Sequence, residues 1–529
     1  MDELPERTRW NLLCVQVVGY KDAWVGRGIP RRRLGSSGGL QRLTDSHRAH
    51  PGKLAVYLIA SAQLMIVLDI TIVNVAIPSI QRALHFSATS LTWVVDAYTL
   101  VFGGLLLLGG RSGDIFGRRK MFMIGVLLFA GASFAGGFAQ DSAMLITARA
   151  LQGIGGAIAS PTALALIASN FEDHRQRTEA LSIYAAESAA GASLGLVAGA
   201  LLTQYLSWRW VFFVNTPIAI VLAVFAPVLL RESRKQEVPA DFLGAVLSVV
   251  AVAGIVYGLI HSAASGWTSP ISLGAFAVGF GGLGAFILRE RSAATPLLEL
   301  DIFANRKRSA GYAVMFLVIA AQFSLWFFLT QYFQDVLGYS PLKTGFAFLP
   351  MTVAAMLIAR NGPRFIRRIG IFPPMIYGPI AVAVALYMLS RLGMASDYWT
   401  SILPALLIQA TGLGATFASV FPASMTKVTQ REAGLSSAMV MVAQQVGGTL
   451  GLSVLATVSV AAATTKLHDL AANVPHLGPA HARVLVDLAG WMAGFKVGAV
   501  IGLLGVVAAL LGARRERAGE VEVLAAGAD

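Results

Sequence analysis

From Leu54 to residue 512, apolar stretches of about 17 to 29 residues follow one another with only short polar breaks between them. A stretch of roughly 20 such residues is long enough to cross a bilayer as a helix, and nothing in an ordinary soluble core calls for so many in series. Fourteen runs can be delimited. Six lie at 54–80, 89–109, 120–138, 143–169, 178–203 and 210–230. Two follow at 241–260 and 271–288, and six more at 309–335, 343–359, 371–390, 399–422, 434–462 and 493–512. Only 13% of the chain is charged and 56% is hydrophobic, against roughly 25% charged in a soluble domain, so the expected class is an all-α polytopic membrane protein.

The breaks fix the orientation. With both ends on one side, the connections on that side between residues 54 and 529 carry 23 Lys and Arg, and those on the other side carry six: Arg82, Arg209, Lys343, Arg391, Lys466 and Arg483. This bias places both termini in the cytoplasm. It also accounts for the net charge of +13 without nucleic acid as a partner. Residues 1–53, with Arg31, Arg32 and Arg33 beside a Gly/Ser run, are expected to be a disordered cytoplasmic tail, and 513–529 a second tail. The single Cys14 forms no internal disulfide and cannot anchor a metal site of paired thiols.

A repeat divides the runs. Arg111-Ser-Gly-Asp-Ile-Phe-Gly-Arg-Arg119 matches Arg360-Asn-Gly-Pro-Arg-Phe-Ile-Arg-Arg368 at five of nine positions, at an offset of 249 residues. The plan is therefore a six-helix half (54–230), two inserted helices (241–288) and a second six-helix half (309–512).

Several side chains are costly where they stand. Asp69 sits deep in the first run, where a charge costs on the order of 2.5 to 3.5 kcal/mol. It is either a proton-binding acid or a carboxylate permanently paired with a cation. Asn74 falls about 140° around the helix from it and should have other neighbours. In the fourth run Arg149, Gln152, Gly153, Gly156 and Ser160 share an arc of about 100°, a polar and small face that must look onto protein or water. Asp96 in the second run and Glu187 in the fifth are further acids, suited to cationic substrates or to proton relay; Asp96 would alternatively sit in water at the rim. Gln322 and Trp326, with Phe323 and Phe327, offer either a polar aromatic wall for flat ligands or ordinary packing. Gln409, Gln444 and Gln445 are weaker candidates for the same wall. Gly191, Gly195 and Gly199 form a seam at four-residue spacing along which another helix can approach.

The segment Gly110-Arg-Ser-Gly-Asp114-Ile-Phe-Gly117-Arg118-Arg119-Lys120 resembles the inner-loop motif of the major facilitator superfamily. Leu68-Asp69 to Pro78, Arg149 to Gly156, Trp208 to Pro217 and Gln331 to Pro341 look like the 14-helix drug:proton antiporter branch, and the likeness covers nearly everything after residue 54. The resemblance implies two six-helix bundles rocking about a central cavity, with two central helices inserted. It implies that Asp69 couples to protons with Arg149 as its counter-charge, and that Asp96, Gln152, Glu187, Gln322 and Trp326 line the substrate cavity. The loop from Gly110 through Asp114, Gly117, Arg118 and Arg119 to Lys120 would then latch the inner gate; a bare positive anchor is the alternative. Two positions depart from the branch: Leu196 replaces a proline and Ala200 a glycine in the fifth-helix seam.

There is no G-x-x-x-x-G-K-[ST] phosphate loop, and the stretch 463–492, with His468, Asp469, His476 and His481, lacks H-E-x-x-H. The expectation is a transporter without cofactor, metal or enzymatic activity, driven by the proton gradient. It would act as a monomer in the cytoplasmic membrane and export small amphipathic drugs or antibiotics, cations among them. A dedicated exporter of one endogenous metabolite is the alternative, and a membrane-embedded sensor or enzyme a more distant one.

Overall fold

The structure, a computed structural model, describes residues 53–87, 90–171, 174–232, 241–293, 295–426, 433–473 and 478–513. The tails expected at 1–53 and 513–529 lie outside them apart from Lys53 and Ala513, which end helices.

Fourteen helices carry the described residues. The first bundle comprises α1 (Lys53–Leu84), α2 (Trp93–Phe116), α3 (Arg118–Gly137), α4 (Ser142–Asn170), α5 (His174–Tyr205) and α6 (Trp210–Leu229). The inserted pair is α7 (Phe242–Ser265) and α8 (Pro270–Ser292). The second bundle comprises α9 (Arg306–Gln331), α10 (Pro341–Ile369), α11 (Phe372–Leu389), α12 (Leu403–Ser424), α13 (Ala433–Asn473) and α14 (Pro479–Ala513). Thirteen are long and apolar enough to span a membrane; in α5 the described residues give a shorter apolar stretch, Leu194–Tyr205.

The halves are built alike. In the first, α1 packs on α5, α2 on α4 and α3 on α4; in the second, α9 packs on α13, α10 on α12 and α11 on α12. The bundles meet where α2 touches α13 and where α5 touches α10, and the α7–α8 hairpin leans on α2 and α13. We call the end carrying Arg111 to Lys120 the basic end and the opposite one the far end.

Three connections differ from expectation. The repeat places Ile366 where the first half has Gly117, whose φ of +104° ends α2. Isoleucine does not turn the chain this way, so α10 runs on to Ile369 and stops at Gly370, φ +82°. At the far end α13 and α14 extend well into the stretch 463–492. Thr464 and Thr465 donate to carbonyls four residues back, while Lys466–Asp469 and Arg483–Asp487 pair along the helix surface. Finally, α6 begins with a separate turn, Trp210–Phe213, before continuing as Asn215–Leu229.

Candidate functional site

The polar residues of the first bundle converge on Asp69, which is fully buried. Helix α4 presents Arg149 and Gln152 from one face, as their three-residue spacing requires. Arg149 Nη1 lies 2.5 Å from Asp69 Oδ2, and Gln152 Nε2 donates to Oδ1 at 3.0 Å. Asn215 of α6 donates to the same Oδ1 at 2.9 Å and to Ser133 Oγ of α3 at 3.0 Å. Ser133 in turn donates to the Phe212 carbonyl at the break in α6. A charge at this depth is tolerated because its oxygens are filled by a cation and two amides.

Arg149 is bound on its other side as well. Its Nε donates to the Val94 carbonyl of α2 at 2.8 Å, its Nη1 to Gln152 Oε1 at 3.0 Å, and its Cζ stands 4.4 Å from the centre of the Tyr98 ring. The guanidinium thus joins the carboxylate of α1 to the backbone of α2. The same helix, within two turns of Val94, makes polar contacts to the second bundle: Ser453 Oγ donates to Asp96 Oδ2 at 3.3 Å, and the Thr99 and Thr449 hydroxyls are 2.6 Å apart. Gln334 Nε2 to the Val75 carbonyl and Leu342 N–H to Gln204 Oε1 also join the bundles toward the far end.

The other expected residues are dispersed. Asp96 is fully buried in the α2–α13 contact, not at a wet rim. Asn74 donates to its own helix at Ile70, apart from Asp69 as the spacing indicated. Glu187 is half-buried, with Ser61 Oγ 3.5 Å from its Oε2, on the side of α5 about 180° from Leu196. Gln322 and Gln409, both buried, are bonded to each other, and Trp326 packs on Phe348 with ring centres 4.7 Å apart. Gly191, Gly195 and Gly199 all face α1: a Cβ on them would meet Leu64, Thr71 and Ile72. The two departures in this seam face elsewhere. Leu196 and Ala200 lie against Gly345 of α10, at the contact between bundles.

The basic-end loop is tied into its own bundle. Asp114 Oδ1 accepts from Arg118 at 2.8 and 3.0 Å, and Arg118 also caps the Ala165 carbonyl of α4. Arg119 caps Pro227 and Leu230 at the end of α6. Glu232, just beyond α6, accepts the N–H groups of Arg119 and Lys120 at the start of α3, an acid at the positive end of a helix. Gly110 lies half-buried beside Pro161 of α4. The loop joining α12 to α13, residues 427–432, lies outside the described residues.

Among the members of these clusters, Ser133, Asn215 and Glu232 carried no assigned role in the sequence. Asn215 stands in the Trp208–Pro217 motif, which was its one available signal.

Comparison with known proteins agrees with this architecture. The model of the Major Facilitator Superfamily matches residues 59–452. The puromycin resistance protein of Streptomyces alboniger is 41% identical over 424 residues, 78% of this chain and 82% of the relative. The cephamycin export protein of Amycolatopsis lactamdurans is 34% identical over 440 residues, 82% of this chain and 89% of the relative. Among solved structures, an inward-facing bacterial homologue of the human lysosomal transporter Spinster superposes with a TM-score of 0.64 at 14% identity, over 88% of this chain and 98% of that one. That likeness is one of fold. The chain is a multi-pass membrane transporter and belongs to the major facilitator superfamily.

Proposed function

We propose that this transporter exports small amphipathic drugs or antibiotics in exchange for protons, with Asp69 as the coupling acid. The reading of the substrate draws on relatives named for resistance to puromycin and export of cephamycin. The coupling reading rests on one observation, the bridge that Arg149 makes between Asp69 and the Val94 carbonyl of α2.

Oδ1 of Asp69 already accepts from two amides, so an arriving proton goes to Oδ2, the oxygen that faces Arg149. A protonated Oδ2 no longer attracts the guanidinium as an ion pair does. Arg149 then keeps its hold on Val94 and Tyr98 but loses its anchor on α1, and α2 is freed to move relative to α1. Because α2 also carries Asp96 and Thr99, that movement bears on the closure against α13. Protonation from outside would favour release of substrate there, and deprotonation inward would restore the cytoplasm-facing state. One charge moved through 100 mV supplies roughly 2.3 kcal/mol, enough to drive a useful gradient of neutral substrate.

The excess of Lys and Arg at the basic end supports a reading in which that end and both termini face the cytoplasm and the protein acts in the cytoplasmic membrane; a monomer is proposed with it. Cationic amphiphiles fall within the expected substrate range, since Asp96 and Glu187 add acidic groups to the first bundle. The test is flux in liposomes containing only this protein. Addition of a panel of lipophilic cations and neutral drugs under an imposed pH gradient should release protons in wild type and not in Asp69→Asn. Silence across the panel with folded protein would favour a dedicated exporter of one metabolite.

A further inference from the structure

The base of the inserted hairpin holds two carboxyl groups that play no part in the coupling described above. Asp241 caps α7: its Oδ1 accepts the Gly244 N–H at 2.9 Å, and its Oδ2 lies 3.0 Å from Arg289 Nε of α8. Burial works against its charge, yet the Gly244 N–H and the Arg289 guanidinium hold the carboxyl below the usual carboxylate range. Asp241 is therefore an anion with its partners in place.

Glu290, the next residue on α8, is only 4% exposed. Its Oε2 accepts the Leu298 N–H at 2.9 Å, and its Oε1 is buried with no hydrogen-bond partner among the described residues. Gly244 lies between the two acids. A Cβ there would stand 2.9 Å from Glu290 Oε1 and 3.1 Å from Asp241 Oδ2, so the two oxygens border the same small space, and a residue without a side chain leaves it clear. The charged groups acting on Glu290 are Asp241 from α7 and Arg289 from α8, and the linker after α8 adds the backbone N–H groups of Leu297 and Leu298. Arg289 is already committed to Asp241.

An ionised Glu290 would set a second buried negative charge beside Asp241 and leave one of its oxygens without a donor. A proton on Oε1 removes that charge and turns the orphaned acceptor into a donor facing the space that Asp241 Oδ2 also borders. Oε2 remains the carbonyl oxygen that the Leu298 N–H already serves. Asp241, held as an anion by its own partners, then faces a neutral Glu290 instead of a second buried charge.

We propose that Glu290 is a proton-binding site at the base of the α7–α8 hairpin, separate from Asp69, with the Asp241 anion as the neighbouring charge that favours the proton. The site fastens α7 to α8 and, through Leu298, fastens α8 to the segment leading into the second bundle. It stands whether or not Asp69 is the coupling acid.

Infrared difference spectroscopy of the full-length protein in lipid tests it, reading the carbonyl band of protonated carboxylic acids at neutral pH. The band should lose a component in Glu290→Gln and keep that component in Asp69→Asn. A band in Glu290→Gln identical to wild type would overturn the proposal. Should Glu290→Gln fail to fold, Asp241→Asn, which preserves the helix cap, decides the matter: with the anion gone, Arg289 turns to Glu290 and the component should again disappear. Its persistence in Asp241→Asn would contradict the dependence of that proton on the Asp241 anion.

Discussion

Gln322 of α9 accepts a hydrogen bond from Gln409 of α12, as Asp69 of α1 accepts one from Gln152 of α4: in each bundle a polar residue of the first helix is bonded to a glutamine of the fourth. The second bundle thus keeps the polar pair and dispenses with its charge. Replacing both members by apolar residues, as Gln322→Met with Gln409→Leu, should leave the pH dependence of efflux in place, because neither amide titrates. Asp69→Asn should abolish it. Efflux rate measured against pH in the two variants checks this, and a flattened profile in the double variant would place part of the coupling in the second bundle.

Arg149 is 1% exposed, and removing it leaves Asp69 as an uncompensated buried charge. Arg149→Met should destabilise the protein by about 3–5 kcal/mol, the usual cost of breaking a buried ion pair from one side. Combining Arg149→Met with Asp69→Asn should recover most of that loss, since no charge is left behind. Thermal unfolding in detergent of the two single variants and the double variant measures the coupling between them.

Gly117 carries φ of +104°, and a Cβ on it would stand 2.8 Å from the Glu232 carboxyl carbon. Gly117→Ala should therefore cost on the order of 1–3 kcal/mol and displace Glu232 from the start of α3. Glu232→Gln, which weakens the interaction with the helix end but keeps the shape, should cost about 0.3–1 kcal/mol. Membrane levels and transport of both variants, measured together, separate loss of the loop from loss of insertion.

At the α5–α10 contact the Gly345 Cβ position is 2.8 Å from both Ala200 Cβ and the Leu196 carbonyl. Gly345→Leu should force these helices apart and favour opening at the far end. Maleimide labelling of a Gln204→Cys probe in a Cys14→Ser background should become several-fold faster when Gly345→Leu is added. Unchanged labelling would show that the contact yields without opening.

The Asp241 carboxyl is held below its ordinary range by Gly244 and Arg289, so it contributes stability that is present above the unfolded value of about 3.9 and lost as pH falls through the depressed folded value. Asp241→Asn should remove this dependence. Unfolding temperatures followed from neutral pH down to about pH 3 should fall more steeply in wild type than in the variant, once each is referred to its own neutral value.

Much of the architecture could be read from the chain because membrane depth imposes strong rules. Apolar run length sets the helices, and the glycine spacing in α5 sets the face that meets α1. The polar arc of α4 likewise anticipated that Arg149 and Gln152 act together. Asn215 and Ser133 were not legible, since a lone amide or hydroxyl acquires its role only from distances across α1, α3 and α6. The internal repeat misled at Ile366, where one side chain in place of hydrogen carries α10 past the turn. The far-end extensions of α13 and α14 were hidden because hydropathy falls before the helix does, and surface pairs such as Lys466–Asp469 continue it.

The most direct test of the central claim is proton flux in liposomes reconstituted with this protein alone, with an imposed pH gradient and a substrate that elicits a response. The account predicts substrate-triggered proton movement that disappears in Asp69→Asn while the variant remains folded and inserted. Uphill, proton-linked efflux by folded Asp69→Asn would contradict it.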